Sequence, residues 1–309
     1  MNRNPLDLPL VVDSTILSTF RACEEKGALE YVEGLAPSAL GLDLHAGACI
    51  ATALETLYDS IFYRNLSVAA ALGATEIAFD AAWGDFEIPQ FKIDAGTAKT
   101  KERCFLAVLD YASHYHPPHD HLLPYPGVEK ATEFSFGIPL TRETTGLDFP
   151  LHPSGDPFIY AGRFDMLGLY HGLPVVRDDK TCSSIGARWH DSWSLRAQFM
   201  GYCWAMRVLG IPLECVIVRG ICIQKTQFKQ VEAEKRFPSH LLDRWLRVIH
   251  STLHRFVRAA ETGDWQYSFG TECTAYNGCP FLDLCTAPDP DQWKGDFSRR
   301  RWNPLTRGA

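Results

Sequence analysis

The run Ile159-Tyr-Ala-Gly-Arg-Phe-Asp165, followed after a turn by Val176-Arg-Asp178-Asp-Lys180-Thr181, decides the reading of this chain. β-Branched and aromatic residues flank His171-Gly172, a pair suited to a two-residue hairpin loop. With that loop Tyr170 faces Leu173 and, counting outward, Asp165 faces Asp178. Directly opposed residues have Cβ atoms roughly 5 Å apart, and two like charges there destabilise a hairpin unless something compensates. A hard divalent cation is the natural compensator, because it takes carboxylate oxygens. Lys180 lies two residues beyond Asp178 and shares its face, whereas the Asp179 side chain points the other way and leaves only its carbonyl as a further ligand. Two metal-ligating carboxylates beside an ammonium are equipment for hydrolysing a phosphodiester. The plainer alternative is a polar hairpin with a surface Asp-Asp-Lys end.

The surrounding composition bounds this reading. The chain has 309 residues, of which 46% are hydrophobic, and a net charge of −7. This describes a globular protein of one large domain or two coupled ones. Bulk charge does not advertise nucleic-acid binding, although a local basic groove and a bound metal still attract phosphate. The one obvious basic cluster is Ser298-Arg-Arg-Arg-Trp302, either a solvated terminus or a DNA contact. No apolar run reaches the roughly 20 residues a membrane helix needs, and the first residues lack a signal-peptide pattern. A cytoplasmic location without membrane association is therefore expected.

Apolar periodicity predicts helices over 13–31, with Ser14 or Thr15 as N-cap, over 39–63, and near 67–83 and 98–115. The Pro-rich segment 116–126 reads as a loop or lid, and its three histidines as an ordinary surface feature rather than metal ligands. Strand patterns follow at 129–138, in the hairpin and at 214–224, with a polar edge strand near 227–235. Helices are expected at 192–209 and 239–261, the latter ended by Gly263. The pattern suits an α/β fold with a mixed sheet flanked by helices. We expect a single domain in three consecutive parts: a helical layer (1–127), an α/β core (128–235), and a C-terminal helix with a cysteine-bearing coil (236–309).

Two further groups stand out. Gln198 and Tyr202 lie four apart on the helix after the hairpin and so share a face; in isolation they would be an ordinary helix flank. Among ten cysteines, five sit in apolar runs and behave as small hydrophobes, and Cys182 has no assigned role. The remaining four are Cys23 near the start and Cys273, Cys279 and Cys285 at six-residue intervals near the end. Without a secretory signal, metal ligation gains over disulfides. An iron–sulfur cluster, structural zinc and free thiols are the three readings, with zinc favouring tighter cysteine pairs.

Taken together, Gly162-x-x-Asp165, Asp178-x-Lys180-Thr181 and Gln198-x-x-x-Tyr202 resemble the RecB-type exonuclease branch of the PD-(D/E)XK nuclease superfamily, over roughly residues 130–225. The resemblance implies a restriction-endonuclease-like core with Asp165 and Asp178 as Mg²⁺ or Mn²⁺ ligands and Lys180 as catalytic lysine. It places Gln198 and Tyr202 in the motif that lines the active site and contacts DNA. Glu133 falls where such proteins often carry a glutamate. Cys23 with Cys273, Cys279 and Cys285 resembles the [4Fe–4S] staple of AddB-type and CRISPR-adaptation nucleases.

The chain departs from that pattern once. In Gly47-Ala-Cys-Ile-Ala51-Thr-Ala-Leu-Glu55 the frame of the first helical motif is kept, but Ala51 stands where the family usually has histidine. His45, six residues earlier, is the nearest substitute. The leading expectation is a metal-dependent DNA exonuclease acting in recombination, repair or phage DNA processing, with other recombination or phage proteins as partners. The alternatives are a catalytically impaired DNA-binding or assembly protein with the same fold, and a nuclease directed at RNA. The sequence leaves oligomeric state and polarity of digestion open.

Overall fold

The computed structural model describes residues 3–37, 41–274 and 278–306. Its strands are β1 (Val11–Val12), β2 (Leu35–Pro37), β3 (Leu122–Pro124), β4 (Thr132–Pro139), β5 (Ile159–Tyr170), β6 (Leu173–Cys182), β7 (Cys215–Ile223), β8 (Phe228–Arg236) and β9 (Phe297–Arg299). The helices are α1 (Ser14–Ala22), α2 (Glu24–Gly27), α3 (Leu42–Phe62), α4 (Val68–Trp83), α5 (Gln90–Asp94), α6 (Lys101–Tyr115), α7 (Arg142–Thr145), α8 (Ala197–Val208), α9 (Ser239–Thr262) and α10 (Leu282–Thr286). The fold is α/β, a mixed sheet flanked by helices, as expected. Among the described residues no helix is long and apolar enough to cross a membrane.

The chain forms two compact units that cut across the three consecutive parts expected from sequence. One comprises residues 1–39, 135–163 and 239–309, the other residues 40–134 and 164–238. Strands β4 and β5 each begin in one unit and end in the other. Sequence order misses this because the units are assembled from distant segments.

In the first unit the chain ends meet through aromatic packing. Phe20 of α1 lies 4.4 Å from Phe256 of α9 and 6.1 Å from Trp265, and Tyr160 meets Trp245 edge-on at 5.2 Å. Helix α9 can serve both sides of this arrangement because Leu242, Trp245, Leu246, Ile249, Leu253 and Phe256 recur at helical spacing and are buried. Gly263 ends it with φ +72°, the left-handed backbone that glycine adopts freely. The helix expected over 13–31 is broken at Cys23, which has extended backbone (φ −159°, ψ 118°) and caps α2. Asp13, rather than Ser14 or Thr15, is the N-cap of α1, accepting the Ile16 N–H at 2.8 Å.

In the second unit β5 and β6 form the expected hairpin. Tyr170 pairs with Leu173 and Met166 with Arg177, and both loop residues have positive φ, +49° at His171 and +79° at Gly172, as a type I′ turn demands. β6 then runs parallel to β7 after the α8 crossover, and β8 returns antiparallel along the edge. All nine residues of β7 are buried, which requires cover on both faces; α6 and α8 both pack on it.

The Pro-rich segment 116–126 is not the free loop expected: Leu122–Pro124 pair antiparallel with the end of β5. Its Asp120 is fully buried and takes a two-pronged bond from Arg219 of β7, at 2.7 and 2.8 Å. The guanidinium lies 3.6 Å from the Tyr115 ring centre and also donates to the hydroxyls of Tyr58 and Tyr111. Glu232 also pairs with Arg219 Nε at 2.9 Å, so removing Asp120 leaves the buried guanidinium partly compensated and costs up to about 3–5 kcal/mol, the scale of breaking a buried pair from one side. Asp120→Ala should therefore lower stability by roughly that amount in urea denaturation, while Asp120→Leu combined with Arg219→Met should recover much of the loss. Equal destabilisation by the single and double variants would show the pair to be irrelevant.

Candidate active site

The hairpin ladder ends at Met166–Arg177, one pair before the two acids that sequence arithmetic set opposite each other. The register is the one expected, but Asp165 and Asp178 do not form the next rung. Instead an Asp165 carboxylate oxygen, Oδ2, accepts the Asp179 backbone N–H at 2.5 Å. Beyond this point β6 is held by β7, with Asp178 beside Val218 and Lys180 beside Gly220. The acids thus stand where the β5–β6 ladder ends.

Asp178 is 2% exposed, and its Oδ2 lies 2.5 Å from Lys180 Nζ. Burial pushes the Asp165 carboxyl well above the usual carboxylate range, and the charges of Asp178 and Asp179 push it further. Burial likewise raises Asp178, against the pull of Lys180. The Lys180 ammonium is raised rather than lowered, because Asp178 and Asp165 outweigh its own desolvation. Glu133 adds a further negative charge felt by Asp165. It stands in β4 with φ +48°, a left-handed conformation that costs a residue with a side chain on the order of 1–3 kcal/mol.

Asp179 points to the opposite face, as alternation requires. Its carboxylate meets Arg177 Nε at 3.1 Å and accepts from the Tyr111 hydroxyl at 3.2 Å. Arg177 is itself buried over the Tyr58 ring, 4.0 Å from its centre. Only the Asp179 carbonyl is left to serve a cation on the Asp178 side.

Gln198 and Tyr202 share a face of α8 and bond each other, the Gln198 amide donating to the Tyr202 hydroxyl at 2.6 Å. Tyr202 is 3% exposed and meets Phe164 edge-on at 5.2 Å. It anchors the glutamine more than it reaches outward. His45 stacks on Phe86 at 3.9 Å, meets Trp83 edge-on at 5.0 Å and lies 3.6 Å from Cys49 Sγ. None of these partners belongs to the hairpin.

Two neighbours of the site escaped the sequence reading. Arg196, exposed just before α8, acts by its charge on both Asp178 and Lys180. Its place two residues before Gln198 was the available signal. Trp189 packs over Gly220, where an added Cβ would come 2.5 Å from the indole. Only glycine fits beside Lys180 on β7, and nothing in the sequence pairs positions 189 and 220.

In the other unit Cys23, Cys273, Cys279 and Cys285 line one cavity of about 90 Å³ with Phe281, Leu282 and Tyr267. None of the four is in a disulfide. Burial pushes the Cys285 thiol up to about 11, helped by the charges of Cys279, Glu25, Cys23 and Cys273, so the four sulfurs lie within one another's field. Phe281 and Leu284 are buried with Leu29 and Leu35, and the Cys279 N–H donates to the Cys273 carbonyl at 2.8 Å. The break after α1 points the Cys23 sulfur at the Lys26 N–H, 3.5 Å away. Among the described residues no group of three or more His, Cys, Asp or Glu side chains, these included, stands close enough together to hold a metal ion.

No protein-family model matches the chain, and no curated protein matches its sequence. Among solved structures it is similar to a candidate exonuclease from Eubacterium rectale, with TM-score 0.46 and 11% identity over 89% of this chain and 92% of that one. It is also similar to a protein named SSO0001, with TM-score 0.31 and 14% identity over 88% and 95% of the two chains.

A carboxyl whose pKa is raised by folding weakens the folded state once pH exceeds its unfolded value near 4, and weakens it more until the raised pKa is passed. Asp165→Asn keeps an acceptor for the Asp179 N–H and removes the charge. In EDTA its Tm should exceed that of the parent by roughly 2–4 °C, with the gain larger at pH 8 than at pH 5. A gain that is flat with pH, or a loss, would mean that Asp165 carries no folding penalty.

Proposed function

We propose that the chain is a metal-dependent DNA nuclease of the PD-(D/E)XK type. The observation that carries this reading is the pair of desolvated carboxylates, Asp165 and Asp178, with Lys180 2.5 Å from the second. Their raised pKa values come first from burial, a cost of charging that one lysine does not cancel. Two carboxylates and a backbone carbonyl are hard oxygen donors suited to Mg²⁺ or Mn²⁺, and an open protein set fits an ion that keeps water and takes phosphate oxygens as its other ligands. Such an ion, when bound by Asp165, Asp178 and the Asp179 carbonyl, supplies Lewis acidity and an acidified water.

The remaining tasks fall to the chain. Lys180 stays protonated and is held by Asp178 where an ammonium orients the attacking water and offsets charge growing on the phosphate. Gln198 has one amide hydrogen committed to Tyr202, which fixes the plane of the amide and leaves its oxygen and second hydrogen for the strand. Arg196 presents an exposed guanidinium to the same site, a planar fork for a phosphate oxygen pair. DNA is the proposed substrate, with digestion from ends as the expected mode.

The test is degradation of linear DNA with Mg²⁺ or Mn²⁺ by the parent and by Lys180→Ala and Asp178→Asn. The parent should cleave and both variants should lose at least about 100-fold, the scale of removing one charge-stabilising group. Ala51, together with the engagement of His45 by Phe86 and Cys49, favours a second reading: a DNA-binding protein with impaired cleavage. Inactivity of parent and variants alike, with DNA binding retained, would select it. Preferential digestion of RNA would select the RNA-directed form.

The four-thiol cavity supports a bound [4Fe–4S] cluster, since thiolates are its ligands and the loop that carries three of them is pinned by apolar packing. Zinc is the rival for the same donors. Anaerobic purification should give a brown protein with broad visible absorbance, and replacing any of Cys23, Cys273, Cys279 or Cys285 by alanine should bleach it and lower its Tm. A colourless protein holding zinc would assign the cavity to a structural zinc site.

A further inference from the structure

The cluster Ser298-Arg-Arg-Arg-Trp302 starts in a paired strand, whose last residues are Ser298 and Arg299. β9 pairs antiparallel with β2, setting Arg299 beside Leu35, and the Arg300 N–H continues the ladder to the Gly34 carbonyl at 2.7 Å. The approach is so close that a Cβ on Gly34 would lie 2.9 Å from the Arg300 oxygen, and Gly34 has φ +69°. Phe297 stacks on Phe281 at 5.2 Å, and the Trp302 indole donates to Asp13 at 3.4 Å. The arginine run is therefore held at both ends.

Arg299, Arg300 and Arg301 are exposed and line a cavity of about 590 Å³ within this one unit. Five of its lining side chains are cationic and three anionic, a local excess of positive charge in a chain of net charge −7. The acids are already engaged from inside. Glu33 is bridged by Arg3 and Lys294, each at 2.8 Å, Asp291 by Lys294 at 3.1 Å, and Asp7 by Arg301 at 2.9 Å. Arg3 also binds Glu25, which makes a buried floor rather than a free cation.

The two outer guanidiniums differ from these. Arg299 donates to the Glu33 backbone carbonyl at 3.2 Å, and Arg300 lies over the Trp302 ring at 5.5 Å. Glu30 feels the charge of Arg300, but among the described residues no carboxylate pairs with either arginine within 4 Å. Two rigidly mounted, uncancelled guanidinium forks at the rim of a cavity are a site for an extended chain of phosphates.

We propose that this cavity binds the phosphodiester backbone of DNA, as a contact separate from the carboxylate site. The proposal rests on the nuclease reading for the choice of DNA among polyanions. Backbone contacts are independent of sequence and dominated by counterion release, so log K falls linearly with log salt, by about 0.7–0.9 per phosphate neutralised.

The test is fluorescence anisotropy of a labelled DNA oligonucleotide in EDTA, so that no cleavage occurs, over a series of salt concentrations. The protein is the full chain, compared with Arg299→Gln/Arg300→Gln and with Arg142→Gln, an exposed cation of the same unit outside the cavity. Circular dichroism melting checks that each variant is folded. The double variant should bind more weakly at low salt and lose roughly 1–2 from the salt slope, while Arg142→Gln matches the parent. An unchanged affinity and slope in the folded double variant overturns the proposal. Tighter binding of RNA than of DNA with the same sequence overturns the assignment to DNA. Because binding is read without metal, absence of cleavage would sink the nuclease reading alone, whereas active cleavage with unchanged binding would sink the cavity alone.

Discussion

The arrangement of the second unit depends on two carboxylates held in each other's field where β5 and β6 part. Like charges cannot face each other across a regular ladder without cost. Here the ladder stops at Met166–Arg177, and the Asp165 carboxylate takes the Asp179 N–H that the next rung would have used. That single substitution of a side-chain acceptor for a backbone one keeps a buried amide satisfied while leaving the acids apart. Asp178 can then pair with Lys180.

What keeps this register from slipping lies on the other face of β6. A shift of one residue would exchange faces, bringing Arg177 and Asp179 to the Lys180 side and burying Asp178 and Lys180 where Tyr58 and Tyr111 now lie. Arg177 sits on the Tyr58 ring and pairs with Asp179, and Arg219 beside it on β7 is locked to Asp120. On slipping, Arg177 would leave the Tyr58 ring and Asp179 the Tyr111 hydroxyl. The polar layer behind the sheet is thus a register lock for the acids in front, an expensive one in burial but one with a single solution.

The hairpin was legible because its information is local: a loop pair tolerant of positive φ and strict alternation fix register and faces together. Helices α3, α4, α6 and α9 were legible for the same reason, through apolar periodicity. The rest depends on partners far away in the chain. The Pro-rich segment looks like a lid until Asp120 is seen to neutralise Arg219, and a run with prolines at both ends gives no hint that three of its residues add a strand to β5. Cys23 looks helical by pattern; the break there makes sense only once its sulfur faces the cavity that Cys273, Cys279 and Cys285 complete. His45 was a plausible substitute for the residue missing at position 51, but Phe86 and Trp83 hold it elsewhere, and nothing in their spacing announces that bracket.

The first unit answers a difficulty that bulk charge raises for a DNA-binding role. A net charge of −7 describes a distant field, whereas phosphate contacts are decided within a Debye length of about 8–10 Å. Within that range β9 presents Arg299 and Arg300 with their neighbouring acids already bridged by Arg3 and Lys294. The same strand begins at Phe297, which stacks on Phe281 between two of the cavity cysteines. Packing that orders the thiols therefore also orders the arginines. Loosening the cysteine loop would free the start of β9 and let the guanidiniums spread over many positions, and a cation that must first be ordered binds phosphate less well than one already in place. The proposed DNA contact would then depend on the four cysteines through rigidity.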